Sequence, residues 1–456
     1  MSKERPRVRR LRAAVLAVLC AGAFPLAAAA QGRGFALDNG MSVFLYEKHD
    51  LPLVHIVLGF NVGSKDETDG TNGLVHLLEH CILFRGTATR TGAQVVTDIR
   101  RHGAYFNGNT GPDLAVFEIS LPADQADFGL RNQKDILFGL ALSQADIDGE
   151  KPIILEEASK MEDDPERTAL DLALQGLFPG HPYGRSVYGK REVIEGATSE
   201  TLGAFYRKYF VADNCAMAVV GDFVPAEMEA LIRGIFGPLP KTGFKPEAFP
   251  MAGPLKRSSS RRVERDVREG YLYIAFAAPD YNSPDLYVMR VLAEALGRGV
   301  NPILGGYLRS QRDSVQNVTM SYIPFRFGGA AVVSIRADPK DLSVVERAAV
   351  SFLNRAHTLS YSKKDFLAPE AEMAAFDYLE MAKNQIRFAQ GQAEESGLQL
   401  AGSFVRHMLV NTRPDPGRYL DGIERIDSSD LRKAADRYLA RGEYAAVSIV
   451  PLKVKK

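Results

Sequence analysis

The chain repeats itself, and that repetition limits its fold more than any other feature. Leu202, Tyr209 and Val220 recur as Leu431, Tyr438 and Ile449 at one constant spacing of 229 residues. In each copy a helical stretch with a Tyr near its end leads into an apolar strand. Residues 271–278 and 286–296 likewise echo residues 54–60 and 74–84, a strand followed by an apolar helix. Two homologous halves explain this pattern, and 456 residues are too many for one ordinary core. Residues 236–260 are rich in Pro, Gly and Ser and read as the linker. The expected division is a leader over 1–30, a first half over 31–236, a linker over 237–260 and a second half over 261–456.

Residues 35–37 and 42–46 flank Asp38-Asn39-Gly40, which is a hairpin signal. Residues 54–60, 114–121 and 215–220 read as strands, and 123–142, 152–161, 167–177 and 201–209 as helices. This mixture predicts an α+β class, with mixed and largely antiparallel sheets layered against helices, rather than strict βαβ alternation.

Residues 1–12 carry one Lys, five Arg and one Glu, residues 13–23 are apolar, and Ala28-Ala29-Ala30 supplies an A-x-A pattern. Together these read as a secretory signal peptide cut near Ala30, which predicts an exported, periplasmic protein with no stable membrane span after cleavage. The run is short for a span. Cys20 is not read as a lipidation site, because Leu19 stands where a small residue is needed. Beyond Ala30 the acids outnumber the bases by about five, which speaks against a nucleic-acid partner. The two remaining cysteines, Cys81 and Cys215, read as packed thiols rather than a bridge.

The chemistry gathers in His76-Leu77-Leu78-Glu79-His80. Residues three and four apart on a helix are neighbours, so His76 and His80 can share one metal ion with Glu79 beside them. Glu79 suits the role of base toward a metal-bound water better than that of a third ligand. The flanking Leu74, Val75, Leu77, Leu78, Ile82, Leu83 and Phe84 are apolar, so the helix is buried, and its polar groups need a partner. A zinc ion, one per chain, would serve, with a third ligand from elsewhere. Residues 149–160 read as a second helix with Pro152 in its first turn. Glu150 and Glu157 share one face of it, and Glu156 points about 100° away. The other histidines, His49, His55, His102, His181, His357 and His407, show no ligand spacing.

Residues 73–80 with Phe84-Arg85-Gly86-Thr87 resemble the active-site segment of the inverzincin metallopeptidases, the family of pitrilysin, insulysin and the mitochondrial processing peptidase. Asn61-Val62-Gly63-Ser64-Lys65-Asp66-Glu67 is similar to that family's lead-in, and Ile154-Leu155-Glu156-Glu157 to its distal helix. His181-Pro182-Tyr183 and Val219-Val220-Gly221-Asp222 are further landmarks. The resemblance runs from about Gly34 to the C-terminus. It implies Glu157 as third zinc ligand, Glu150 as the acid behind the ligands, and Asn107 on a strand along which substrate lies. It also implies zinc-dependent endopeptidase activity on peptide substrates. The two halves would enclose a chamber, and the chain would pair as a homodimer or with a related zinc-free subunit. Catalytic members carry an Arg and, seven residues later, a Tyr in the second half. Arg309 fits the first position, but Gln316 stands at the second, with Tyr322 nearby. The second copy of the helix contains no His, so only the first half can hold the ion. A binding or assembly subunit with little activity of its own is the alternative reading.

Overall fold

The computed structural model describes residues 32–298, 302–363, 376–410, 416–440 and 442–452. The expected leader, 1–30, lies outside the described residues. The first half runs β1 (Arg33–Ala36), β2 (Ser42–Glu47), β3 (Leu53–Phe60), α1 (Leu74–Phe84), α2 (Gly92–Arg101), β4 (Tyr105–Thr110) and β5 (Ala115–Pro122). It continues with α3 (Ala126–Phe138), α4 (Gln144–Asp163), α5 (Pro165–Leu177), α6 (Arg191–Glu195), α7 (Ser199–Tyr209), β6 (Cys215–Gly221) and α8 (Pro225–Phe236). The second half runs β7 (Ser259–Arg265), β8 (Gly270–Ala278), α9 (Leu286–Gly297), α10 (Ile303–Gln311), β9 (Val315–Phe325) and β10 (Gly328–Ala337). After these come α11 (Leu342–Asn354), α12 (Tyr378–Glu395), α13 (Gly397–Val410), α14 (Pro416–Glu424), α15 (Ser428–Ala435) and β11 (Tyr444–Pro451).

The two sheets have one topology. The first is ordered β1-β2-β6-β3-β5-β4 and the second β7-β11-β8-β10-β9. Only β2 with β6 and β7 with β11 run parallel; every other pair is antiparallel. Strand for strand, β7, β11, β8, β10 and β9 stand where β2, β6, β3, β5 and β4 stand in the first sheet. The fold is therefore the expected α+β arrangement of two like halves. The edge left open beside α1 is β4.

The central strands are apolar on both faces: all of β6 is buried, and so are Val57, Ala218 and Val220, which point away from α1. Such strands need cover on both sides. In the first sheet one face is covered by the half's own helices, including α1, α3 and α7. The other face is covered by α13, whose Leu400, Ala401, Phe404 and Val405 pack on Phe44, Val57, Ala218 and Val220. The second half receives the reverse service from α5, where Ala169, Ala173 and Leu177 pack on Tyr273, Ala275, Ala445 and Val447. Each half thus sends one helix across the linker to close its neighbour's sheet.

A buried polar knot fixes the two hairpin tips together. Asp113, in the β4–β5 turn, accepts from the Tyr183 hydroxyl (2.7 Å) and from the backbone N–H of Arg326 (3.0 Å), in the β9–β10 turn. The Arg326 guanidinium donates to Asn61 Oδ1 (2.9 Å), and the Phe327 N–H donates to the Tyr183 oxygen (3.0 Å).

One expected boundary is corrected. The helix carrying Glu150 and Glu157 begins at Gln144, not near Gly149, and Pro152 lies inside it rather than in its first turn. Ser143 caps it, with Asp146 returning the bond in a capping box. Ile147 and Ile154, both fully buried, hold its inner face. Burial outweighs the roughly 3 kcal/mol that an interior Pro costs. Cys81 and Cys215 are free and buried, as expected of packed thiols.

The exchange of helices has a measurable consequence. Phe404 is 1% exposed, with its ring 4.4 Å from that of Phe44. Phe404→Ala is expected to cost about 3–5 kcal/mol and to lower hydrogen-exchange protection in β2 and β6, in the opposite half. Protection lost only around α13 would contradict this packing.

Candidate metal centre

Helix α1 is almost wholly buried: only His80 and Phe84 escape the interior. Its N-cap is Gly73 at φ 112, which brings no capping side chain. Glu67 takes that role from a distance. Its Oε1 accepts from the Val75 N–H (2.9 Å) and its Oε2 from Asn72 Nδ2 (2.8 Å).

The helix brings His76 and His80 edge to face, with ring centroids 5.0 Å apart. Glu157 reaches them from α4, its Oε2 lying 3.8 Å from His76 Nε2 and 3.3 Å from His80 Nε2. Ligand atoms of His76, His80 and Glu157 lie within 4.8 Å of one another, and no other His, Cys, Asp and Glu group among the described residues is so arranged. Two imidazole nitrogens and one carboxylate oxygen are a donor set that fits a divalent ion with an open fourth position. Burial, then the neighbouring His80, lowers His76 to about 4, so it is neutral at pH 7, as a ligand must be. Its Nδ1 is buried and has no partner among the described residues.

Glu150 stands behind the site. It is 2% exposed, its Oε2 lies 3.3 Å from His80 Nδ1, and its Oε1 pairs with Arg85 Nε at 2.6 Å. Burial alone would lower His80, but the Glu150 bond and the charges of Glu79 and Glu157 outweigh it and raise it. Burial alone would also raise Glu150; His80 and Arg85 reverse that and hold it below its ordinary value. Gly149 makes room for this pair, since a Cβ there would lie 2.7 Å from Arg85 Nη2. Glu156, exposed, pairs with Lys160 away from the site.

Glu79 is 7% exposed and faces β4. Its Oε2 accepts from Thr110 Oγ1 at 2.5 Å. Burial raises its carboxyl, against the pull of Thr110 and His80. Gly108 allows the close approach, because a Cβ there would lie 2.9 Å from Glu79 Cγ. An acid held near, but not in, the donor triad can hold or move a proton. Tyr188 closes one side, its ring 5.5 Å from His76 and its hydroxyl accepting from Arg167 Nη2 at 3.0 Å.

The expected substrate contacts, Asn107 and Arg309, are not among the three donors. Alternation along β4 puts Phe106, Gly108 and Thr110 toward α1 and Asn107 on the opposite face, where its side chain bonds Glu118. Arg309 sits on α10 and makes no hydrogen bond or ion pair among the described residues. Gln316 is exposed near the start of β9. Tyr322 is buried, its hydroxyl donating to the Pro279 carbonyl at 2.8 Å. Thr110 and Gly108 were missed from the sequence, although the period of two in Tyr105–Thr110 marks both as facing Glu79 once β4 is placed. Arg85, directly after the helix, carried no signal by itself.

Residues 43–191 match the insulinase family (peptidase family M16), and residues 196–366 match the family's inactive domain, described as "Peptidase M16 inactive domain". A relative in Rickettsia bellii, named "Uncharacterized zinc protease", is 24% identical over 90% of this chain and 96% of its own length. One in Arabidopsis thaliana, named "Probable mitochondrial-processing peptidase subunit beta, mitochondrial", is 23% identical over 98% of this chain and 84% of its own. The crystal structure of a protease from Helicobacter pylori shares the fold, with a TM-score of 0.82 and 18% identity, over 92% of this chain and 100% of that one.

Glu67 sets a pH dependence. Burial pushes its carboxyl up from 4.5 to about 7. A value raised by folding means that the protonated acid favours the fold. Its contribution is complete below about pH 4.5 and is lost as pH rises through about 7. Glu67→Gln cannot ionise and is expected to remove that loss, roughly 3 kcal/mol across the window. Urea unfolding over a pH series reads it; a slope unchanged from the parent would rule the assignment out.

Proposed function

The chain belongs to the M16 family of peptidases, and from this we propose that it is a zinc-dependent endopeptidase acting on peptides or unfolded polypeptide segments. The observation that carries the reading is the convergence of His76, His80 and Glu157 beside a buried acid, Glu79, that is not one of the three donors. One zinc ion per chain would supply polarisation of the scissile carbonyl and acidification of a water. Glu79, held by Thr110 and raised by burial, takes a proton from the attacking water and passes it to the leaving amine. Glu150 orients His80 from behind. The open edge of β4 receives substrate backbone as an added strand. At Asn107 the contact is through backbone, since the amide is turned to Glu118. Arg309 would approach substrate from the second half.

Glu79→Gln tests this. Retained zinc with hydrolysis reduced by about 10²–10⁴-fold is expected, read by metal analysis and peptide cleavage. Unchanged turnover sinks the reading.

A second reading is a subunit or zinc-containing assembly protein with little activity alone. It is favoured by Gln316, which stands where the family resemblance implies a Tyr in catalytic members, and by the Arabidopsis relative, whose name is that of a subunit. A homodimer, or a pair with a zinc-free relative, would then complete the site. Cleavage by the purified chain alone, compared with cleavage after adding such relatives, separates the two.

The basic start, the apolar run and Ala28-Ala29-Ala30 support export to the periplasm. N-terminal sequencing of the periplasmic protein is expected to begin near Gln31. A chain that keeps Met1 in the cytoplasm would contradict this.

A further inference from the structure

The second half has a cavity where the first half has its metal centre. Gly297 of α9 abuts Met320 on β9, as Leu83 of α1 abuts Gly108 on β4. Pairing Gly297 with Leu83 also matches half-buried Glu294 and exposed Arg298 with half-buried His80 and exposed Phe84, and it puts Arg290, Ala293 and Glu294 at the places of His76, Glu79 and His80. Helix α12 then stands where α4 stands. The cavity, of about 520 Å³, has polar walls that include Glu294, Arg298 and Gln385. A neighbouring cavity of about 430 Å³ is more apolar, with Leu286, Leu400 and Phe404. Arg290, Gln390 and Tyr419 line both.

Arg290 is the anomaly. Its Nε is buried with no hydrogen-bond partner, and no carboxylate pairs with its guanidinium among the described residues. It stands over the Tyr322 ring, 5.8 Å from the centroid. Glu294, one turn on, is turned to Arg298, with 4.0 Å between Oε2 and Nε. Buried polar atoms are rarely left unpaired, and an unpaired guanidinium in a concave site is matched by a planar carboxylate, which it can hold through two parallel bonds. A singly charged, planar carboxylate matches one free guanidinium, since the cavity's other cation, Arg298, is already turned to Glu294.

We propose that this double cavity binds the C-terminal residue of a peptide, with the α-carboxylate on Arg290 and an apolar side chain in the neighbouring cavity. The anion site follows from Arg290 alone; the choice of a peptide rests on the peptidase reading above. The second half would then hold a peptide end, while the chemistry stays in the first.

Binding can be read without hydrolysis. The full-length chain carrying Glu79→Gln is titrated against fluorescein-Gly-Ser-Gly-Ala-Leu, with either a free carboxylate or a C-terminal amide, by fluorescence anisotropy. The carboxylate form is expected to bind at least about 10-fold more tightly, in line with a charge-assisted pair. Arg290→Gln is expected to abolish that preference. Arg290→Lys keeps the charge and the fold without the planar fork, and is expected to retain only part of it. Equal binding of acid and amide, or an intact preference in either variant, overturns the proposal. Competition by N-acetyl-leucine at the affinity of the whole peptide overturns the peptide assignment, because the site would then serve small carboxylates. Failure of the parent chain to hydrolyse peptides would sink the endopeptidase reading and leave this preference measurable.

Discussion

The architecture depends on strands that must be buried on both faces. With β3 and β6 apolar above and below, a half with helices on one side only would leave a greasy sheet in water. The solution is reciprocal: α13 closes the first sheet and α5 closes the second. The linker therefore separates two sheets but not two independent cores. Each half is completed by residues that the chain places on the other side of residue 237, and the metal-free copy is needed for the fold whatever its chemistry.

The same desolvation that builds the core shapes the site. Helix α1 sits deep enough for burial to keep His76 neutral and to raise Glu79, while Glu150 with Arg85 keeps a counter-charge behind His80. These opposing shifts arise from the surroundings of each group. Two glycines, Gly108 and Gly149, leave space where a Cβ would press on Glu79 and on the Arg85 guanidinium.

How much of this was legible depended on range. The helix Leu74–Phe84, the first hairpin and the echo of strand and helix in the second half were visible because periodicity and spacing are local signals. The start of helix α4 is not legible locally, since Pro152 is a strong local breaker and only the burial of Ile147 and Ile154 carries the helix through it. Nothing local in residues 397–410 says that this helix belongs on the other half's sheet. Nor does Asn107 reveal which face it takes until β4 is registered against β5. The donor triad itself was legible only in part. Spacing brought out His76 and His80 and offered both Glu150 and Glu157, while family resemblance chose between the two acids.

The knot at Asp113 has one more consequence. It ties the end of β4 to the end of β9, so the two open sheet edges start from a common corner and part from there. An extended chain laid along β4 has six residues of edge, roughly 20 Å, before it meets that corner. The corner works as an end-stop on a ruler. A strand added to β4 would run out of edge at Thr110, beside Glu79, against a buried turn with no part in the donor set.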